Sequence, residues 1–410
     1  MEKTITKTYN FFIQDKNLIL WNLAKETASI YNDAKNLSIQ VYEKEQKTLS
    51  AFDIQKQIYH KYEKYNLHSD SKIASIQQYT KARKTYFEML KEYEKNPKKF
   101  DFNIPLPPTE DKEICAIFFK KSAIRYKKGH LLLSLKKQTE PLKFKWNKDL
   151  PIPHFCIISY KPSYGWKLSC VFNTIHEIYP CDKNKELGID LGIKRIATIF
   201  DGKNTLTFNG KIIQSNIRLK NKLQVKTQSK LSKLTKHSRK YKKIKRSQRK
   251  INRRIKNKNT DILKKYSRYI VNYCVKNKIS KITIGKCDGI HKLINKDKKT
   301  TQMRNQFPEQ ILKNYIIDMF DNAGGTTEVV PEPYTSKTCP KCNSLNVAKN
   351  RSYICSNCNF KFDRDGVGSI NIWNLSKNVS LEKMSSNVVG GLTPPRGIKF
   401  FPRLSNYLFN

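Results

Sequence analysis

The chain has 410 residues, 38% of them hydrophobic and 11% aromatic, which is enough for about two to four domains with cores of their own. Eighty Lys and Arg stand against 34 Asp and Glu, a net charge of +46 with which a single folded body repels itself unless a polyanion neutralises it; the bland alternative, a soluble protein with a Lys-heavy surface, is disfavoured because the excess is concentrated. No apolar run approaches the ~20 residues of a membrane span, and MEKTITKTYNFFIQ lacks the apolar core and cleavage site of a signal peptide; a cytoplasmic, reducing location is expected.

Taken in chain order, Thr4 to Phe12 alternate and predict an opening strand. From Leu18 the apolar residues follow steps of three and four, through Leu20, Leu23, Ile30, Ala34 and Val41, and helical patterning runs to about Tyr93. Residues 115–178 then read as strands: AIFFKKSAIRY, HLLLSL, LKFKW, HFCIISY and GWKLSCVFN, separated by Gly, Pro and Lys turns. A strand, a helical block and more strands suggest a β-barrel with a helical insertion. The stretch ELGIDLGIKRIATIFDG, residues 186–202, predicts a strand, a turn and a returning strand, with Asp190 inside the apolar run.

From Ile217 to Ile255 apolar residues keep helical steps, and between Lys211 and Thr260 there is no Asp or Glu at all. A solvated helix face normally mixes signs for i,i+4 pairing, and this one cannot pair with itself. It reads as a phosphate-binding helix, 213–258, with Lys242, Lys243, Arg246, Arg249, Arg253 and Arg254 as candidate nucleic-acid contacts. A second helix, DILKKYSRYIVNYCVKN, leads to the strand KITIG; after a basic loop come a helix, PEQILKNYIIDMFDNAG, and a strand, TTEVVPE. Hairpin, helix, strand, helix, strand is the order of an RNase H-like α/β core. Beyond Lys377 no period is sustained.

Cys339, Cys342, Cys355 and Cys358 form C-x2-C-x12-C-x2-C. Each pair offers two corners of a tetrahedron, so a structural Zn2+ is expected; thioredoxin-like redox sites carry one such motif beside a βαβ unit, not two in a Lys-rich loop. Four protein ligands close such a site to chemistry. The other six cysteines are scattered singly, which suits buried thiols rather than a disulfide framework. Asp190 in its apolar strand, and Asp365 just past the clip and before GVGSINIWN, are the acids that stand out. A charge in such a strand is costly unless it meets a cation. Carboxylates gathered from distant parts of a chain are what two-metal phosphodiester hydrolysis requires.

GIDLGIKRIAT, EPYTSKTCPKC and YICSNCNFKFDRDGVGSINI resemble the RuvC-type nuclease half of the transposon-encoded TnpB proteins, relatives of the type V CRISPR effectors. The resemblance is specific over about 184–376 and weaker upstream. It implies a multidomain α+β protein: a wedge β-barrel (1–15 and 101–183) interrupted by a helical recognition domain (16–100), then a RuvC domain (184–335 and 363–377) with an inserted zinc ribbon (336–362). Residues 378–410 are left as a tail expected to be disordered. It further implies an ωRNA guide, a double-stranded DNA target cut beside a short target-adjacent motif, catalytic Mg2+ in two ions, and a chain acting as a monomer, cytoplasmic or nucleoid-associated in a bacterium and nuclear in a eukaryote. In the DRD triplet Asp365 takes the catalytic position and Asp363 has no match.

One departure bears on activity. Where most of the family carries a catalytic Glu, the strand KITIG has Gly285, with Asp288 displaced along the chain. Either the nuclease is dead, leaving an RNA-guided DNA-binding repressor, or another acid substitutes. Glu332 is the candidate, because it ends the strand that neighbours Gly285 in an RNase H-like sheet; some members of the family resemble this arrangement. The expected site is therefore Asp190, Glu332 and Asp365. A transposase acting in strand transfer without RNA is the third and weaker reading.

Overall fold

The computed structural model describes residues 2–13, 18–100, 103–162, 164–286, 298–332, 334–348, 350–376 and 395–398. These form two compact units, one of residues 4–174 and one of residues 1–3 and 175–410.

In the first unit β1 (Glu2–Ile13) precedes α1 (Leu18–Glu45), α2 (Ala51–Ile58) and α3 (Ser69–Lys95). The helical block is thus divided, and the divisions are capped: Ser50 and Asp53 form a reciprocal capping box at α2, and the His68 side chain accepts from the Asp70 amide at α3. The apolar runs downstream carry β2 (Ile117–Lys120), β3 (Ile124–Lys127), β4 (His130–Leu133), β5 (Leu142–Lys145), β6 (Phe155–Lys161) and β7 (Gly165–Glu177). They form two sheets, of order β1-β7-β6-β2 and β3-β4-β5. Helix and sheet residues share one core in which Leu20, Leu23, Ile30, Tyr62, Phe119, Ile158 and Phe172 are essentially sealed from solvent.

The second unit is built on a six-stranded sheet, order β12-β11-β8-β9-β10-β15. Its strands are β8 (Asp182–Leu191), β9 (Arg195–Phe200), β10 (Thr205–Asn209), β11 (Ile279–Lys286), β12 (Thr326–Pro331) and β15 (Arg396–Ile398). β8, β9 and β10 are antiparallel neighbours, while β11 runs parallel to both β8 and β12. Helices α4 (Lys211–Ser232), α5 (Arg239–Lys276), α6 (Lys298–Gln306) and α7 (Glu309–Asn322) supply the crossovers. The core joins Leu187, Ile189, Ile199, Phe208, Ile282 and Ile284 of the sheet to Ile262, Tyr266, Ile270, Leu312 and Phe320 of α5 and α7. The hairpin β13 (Ser352–Ile354) and β14 (Lys361–Asp363) leads into α8 (Arg364–Ser376).

Two expectations are corrected here. The basic helix expected over 213–258 is two helices, broken at residues 233–238, where His237 takes a φ of 67° and the Ser238 side chain caps α5 by accepting from the Tyr241 amide. No break falls at residue 260, so α5 continues through the second predicted helix for 38 residues. The tail 378–410 is described only at its residues 395–398, and those include a strand: Leu206, Thr207 and Phe208 pair in parallel with Arg396, Gly397 and Ile398. Asp288 lies outside the described residues. Among them, no helix is long and apolar enough to cross a membrane.

Candidate metal centre

β8 buries Leu187, Gly188 and Ile189 in succession and then presents Asp190, which is half-buried. The strand can do this because α8 lies directly against it. A Cβ on Gly188 would come within 2.5 Å of the Ser369 carbonyl oxygen and 2.6 Å of the Trp373 nitrogen, so only glycine permits the approach. Gly368 does the same from the helix side: a Cβ there would lie 2.5 Å from Asp190 Oδ2. Trp373 Nε1 donates to the Glu186 carbonyl at 3.1 Å and pins the other end of the contact. Asp365 lies three residues before Gly368 and therefore on the same helix face, which turns it toward Asp190.

Asp363 has a different task. Its Oδ1 accepts from the amides of Asp365 (3.0 Å) and Gly366 (3.2 Å), capping α8, and it also pairs with Arg195. Asp365 Oδ2 meets Arg351 Nη1 at 2.6 Å and Arg195 Nη1 at 3.6 Å. Arg351 comes from the segment between the two Cys pairs, Arg195 from the start of β9.

Glu332 arrives by the parallel pairing of β11 with β12, in which Gly285 faces Val330. Two residues past Val330, its side chain folds back over β11: a Cβ built on Gly285 would overlap the Glu332 carboxylate. The absent side chain at 285 is thus the space Glu332 occupies. The segment after it is held by Asn371 of α8, fully buried, whose Nδ2 donates to the carbonyls of Thr335 (2.6 Å) and Thr338 (2.8 Å). Thr335 Oγ1 in turn donates to the Glu332 carbonyl at 3.4 Å.

Hemmed in by protein atoms, the Asp190 carboxyl is pushed well above the usual carboxylate range, first by desolvation and then by the negative charges of Glu332 and Asp365; Arg364 opposes the shift and Glu309 adds to it. Glu332 and Asp365 thus act on a desolvated Asp190, and carboxylate oxygens are the donor type a divalent cation takes. The oxygens of the three acids are more loosely gathered than the cysteines, which among the described residues are the only His, Cys, Asp or Glu set of three or more with all ligand atoms within 4.8 Å of one another. The sequence pattern singles out Asp190 and Asp365, and the family resemblance adds Glu332. Neither points to Arg195, Arg351, Asn371 or Glu309, for which position along the chain gives no signal.

The cysteine cluster is compact. Cys339 Sγ lies 3.6 Å from Cys358 Sγ, and Cys342 Sγ 3.5 Å from Cys355 Sγ. With Zn–S bonds near 2.3 Å, a tetrahedron has S···S edges of about 3.8 Å, whereas a disulfide needs about 2.0 Å. At Cys355 desolvation works against the thiolate, but Ser344 and the amides of Cys358 and Asn357 outweigh it and bring the thiol to about 6; burial pushes Cys339 up to about 12. The site can hold zinc, with Tyr353 and Val367 sealed beside it. On α5, Lys242, Lys243, Arg246, Arg249 and Arg254 are exposed and Arg253 is partly covered.

Residues 171–291 match a family model described as a probable transposase, OrfB_IS605, and residues 310–372 match the Cas12f1-like TNB domain. A TnpB-like protein of Methanocaldococcus jannaschii is 32% identical over 139 residues, which span 33% of this chain and 50% of that protein. Among solved structures, a Cas12f1–sgRNA–target DNA complex aligns with a TM-score of 0.59 at 16% identity, covering 89% of this chain and 84% of that one. CasPhi-2 (Cas12j) bound to crRNA aligns with a TM-score of 0.53 at 9% identity, covering 93% and 99%. At such identities the likeness is one of fold: a mixed α/β multidomain architecture like that of the Cas12 effectors, with a zinc-ribbon-like cysteine cluster.

Proposed function

We propose that this TnpB-family protein is an RNA-guided DNA endonuclease whose centre is Asp190, Glu332 and Asp365. The observation that carries the reading is the seat of Glu332 in the space left by Gly285, beside Asp190. A repressor with a dead site has no need of an acid there. The sheet order, with β8 central and β11 and β12 parallel beside it, supports an RNase H-like (RuvC) domain, and the two sheets of the first unit support a wedge domain around the helices 18–95. The structural neighbours are complexes with guide RNA and, for Cas12f1, target DNA, which supports an ωRNA and a DNA duplex as partners here. The net charge of +46 and the acid-free stretch 211–260 supply the phosphate-binding surface.

Asp190, Glu332 and Asp365 would hold two Mg2+ ions, which when bound supply Lewis-acid activation of water and stabilisation of the leaving oxygen. The chain's own residues do the rest. The close approach of β8 and α8, at Gly188 against Ser369 and Trp373 and at Gly368 against Asp190, fixes the Asp190 carboxylate, Asn371 fixes the segment behind Glu332, and Asp363 fixes the first turn of α8 that carries Asp365. Arg195 and Arg351 offset the Asp365 charge at rest and present guanidinium forks that match phosphate oxygens. The zinc ribbon holds the chain together between Glu332 and Asp365 and takes no part in bond breaking.

The test uses the protein purified with its co-bound RNA. Wild type should cut a matching duplex in Mg2+, and Asp190→Ala, Glu332→Ala and Asp365→Ala should each bind target but leave it intact. Asp288→Ala should cut normally. Full cleavage by Glu332→Ala would sink the rearranged site, and binding without cleavage by wild type would hand the case to the repressor.

A further inference from the structure

The first unit holds a cavity of about 550 Å3 between the first turn of α3 and the sheet β3-β4-β5. Its charged lining is Lys72, Arg125, Lys136 and Lys137, and no carboxylate lines it. Lys72 is the unusual member. It is only 5% exposed, and among the described residues its ammonium makes no hydrogen bond and no ion pair. A buried charge without a partner is costly. Burial, and after it the nearby Lys136, holds the Lys72 ammonium below the usual lysine range; Glu26 and Glu63 oppose the shift without reaching ion-pair distance. Glu26 is already engaged, its Oε2 accepting from the Asn66 amide at 3.0 Å. Asp70, the acid in the first turn of α3, is held by the Ser122 hydroxyl and stays outside the lining. The facing wall is fixed as well: the Lys136 amide donates to the Asn66 carbonyl at 2.9 Å, and the Thr139 amide to the Lys136 carbonyl at 3.0 Å.

The remaining lining is of another kind. Leu67, Leu132, Leu135 and Pro141 supply apolar surface, with Tyr59 beside them. A volume within the roughly 300–1,000 Å3 of small-ligand sites, lined by both cations and apolar side chains, suits a phosphorylated molecule with a flat apolar body. We propose that this cavity binds a free nucleoside monophosphate, its phosphate on Lys72 and its base against the apolar wall. The proposal does not rest on the nuclease reading. Two points favour a free nucleotide over a nucleic-acid strand. A terminal phosphate carries about −1.5 to −2 charges at neutral pH, against one for a diester inside a strand, and a buried ammonium with three further cations around it is better compensated by the former. A strand backbone also follows an open track of cations, which the exposed residues of α5 offer and a buried Lys72 does not.

The experiment is equilibrium dialysis of the full chain, as purified, against radiolabelled AMP, with unlabelled adenosine and inorganic phosphate as competitors. Wild type should take up about one AMP per chain, saturably, and adenosine should compete about tenfold or more less well than AMP. Lys72→Met should weaken AMP binding about tenfold or more. Because it removes an unpaired buried charge, it should also raise the melting temperature of the ligand-free chain. AMP should raise the melting temperature of wild type and leave that of Lys72→Met unmoved. Arg125→Gln, exposed at the cavity, gives the same loss of binding should Lys72→Met disturb folding. Lys44→Met, exposed on α1 outside the cavity, should bind AMP as wild type does, which separates the site from general attraction to a cationic protein. Uptake that never saturates, that is absent at millimolar AMP, or that is equal in wild type, Lys72→Met and Arg125→Gln would overturn the proposal. So would crosslinks to residues 134–139 from a photoreactive 5′ end on the bound RNA that AMP fails to displace, since a strand terminus would then be the occupant.

Discussion

Glu332 and Gly285 are best understood as one unit, since each makes sense only with the other. Ala at 285 would meet the Glu332 side chain before anything else, and because that flexible side chain can swing aside the fold should tolerate the methyl at small cost. The carboxylate would nonetheless be displaced, and a shift of about 1 Å in an active-site group can cost on the order of 10²-fold in rate. Gly285→Ala should therefore keep its melting temperature and lose most cleavage. Gly285→Glu combined with Glu332→Ala should cut faster than Glu332→Ala alone, because the carboxylate returns to the same space from the other strand. Asp190 gives a prediction of opposite sign for stability. A carboxyl whose folded pKa lies above its unfolded value, about 3.9, binds its proton more tightly when folded. The metal-free fold then loses stability as pH rises from the unfolded value toward the raised one, so at neutral pH the buried acid is a net cost. Asp190→Asn should raise the melting temperature of the metal-free protein at pH 7 while abolishing cleavage, and Mg2+ should stabilise wild type more than the variant. A lower melting temperature for Asp190→Asn would contradict the desolvated-acid account.

At the scale of elements, α8 is the frame on which the acids meet. It packs on β8 through Gly188 and Gly368, carries Asp365, and through Asn371 grips the segment behind Glu332. Asn371→Ala should slow cleavage well before it weakens target binding, and a Mg2+ titration should move to higher concentration, which a purely structural lesion would not produce. Cys355→Ser should release zinc and destabilise the C-terminal part, read as a loss of one Zn per chain and of protection from proteolysis over residues 336–376. Much of this level could be read from the sequence. Period-two and period-3.6 patterns marked the strands and helices, and the Cys spacing marked the clip. The helix break at 233–238 escaped because it contains neither Gly nor Pro; its only local sign is Ser238, a good N-cap hidden among lysines. Arg351 escaped for another reason. It reaches Asp365 only after the cysteine hairpin folds back, a contact made by tertiary closure and not by any local preference.

For the whole molecule, charge is the dominant fact. Eighty cations against 34 acids, with the segment 211–260 free of acids, make a folded form that repels itself, a strain that a bound polyanion would relieve. The purified chain should retain a specific RNA, and its affinity should fall steeply and linearly in log salt. Flat binding from low to high salt would overturn the electrostatic account. The same field explains why the +46 was legible as a nucleic-acid signal while its division of labour was not. The exposed cations of α5 and the two arginines beside Asp365 look alike in sequence, and only the fold sets one group on an open helix and the other next to the acids.

The pairing of β11 with β12 has a consequence for inheritance. A carboxylate borne on either of two neighbouring strands can fill one volume, but never on both at once: two would collide and none would leave a hole. Passage between the arrangements therefore needs two substitutions, with each single step impaired, so the two positions should be inherited together and switch together. A chain with Gly on the first strand and Glu two residues past the facing position on the second should descend from working nucleases. One with Gly on the first strand and no acid on the second should belong to lineages that have given up cutting.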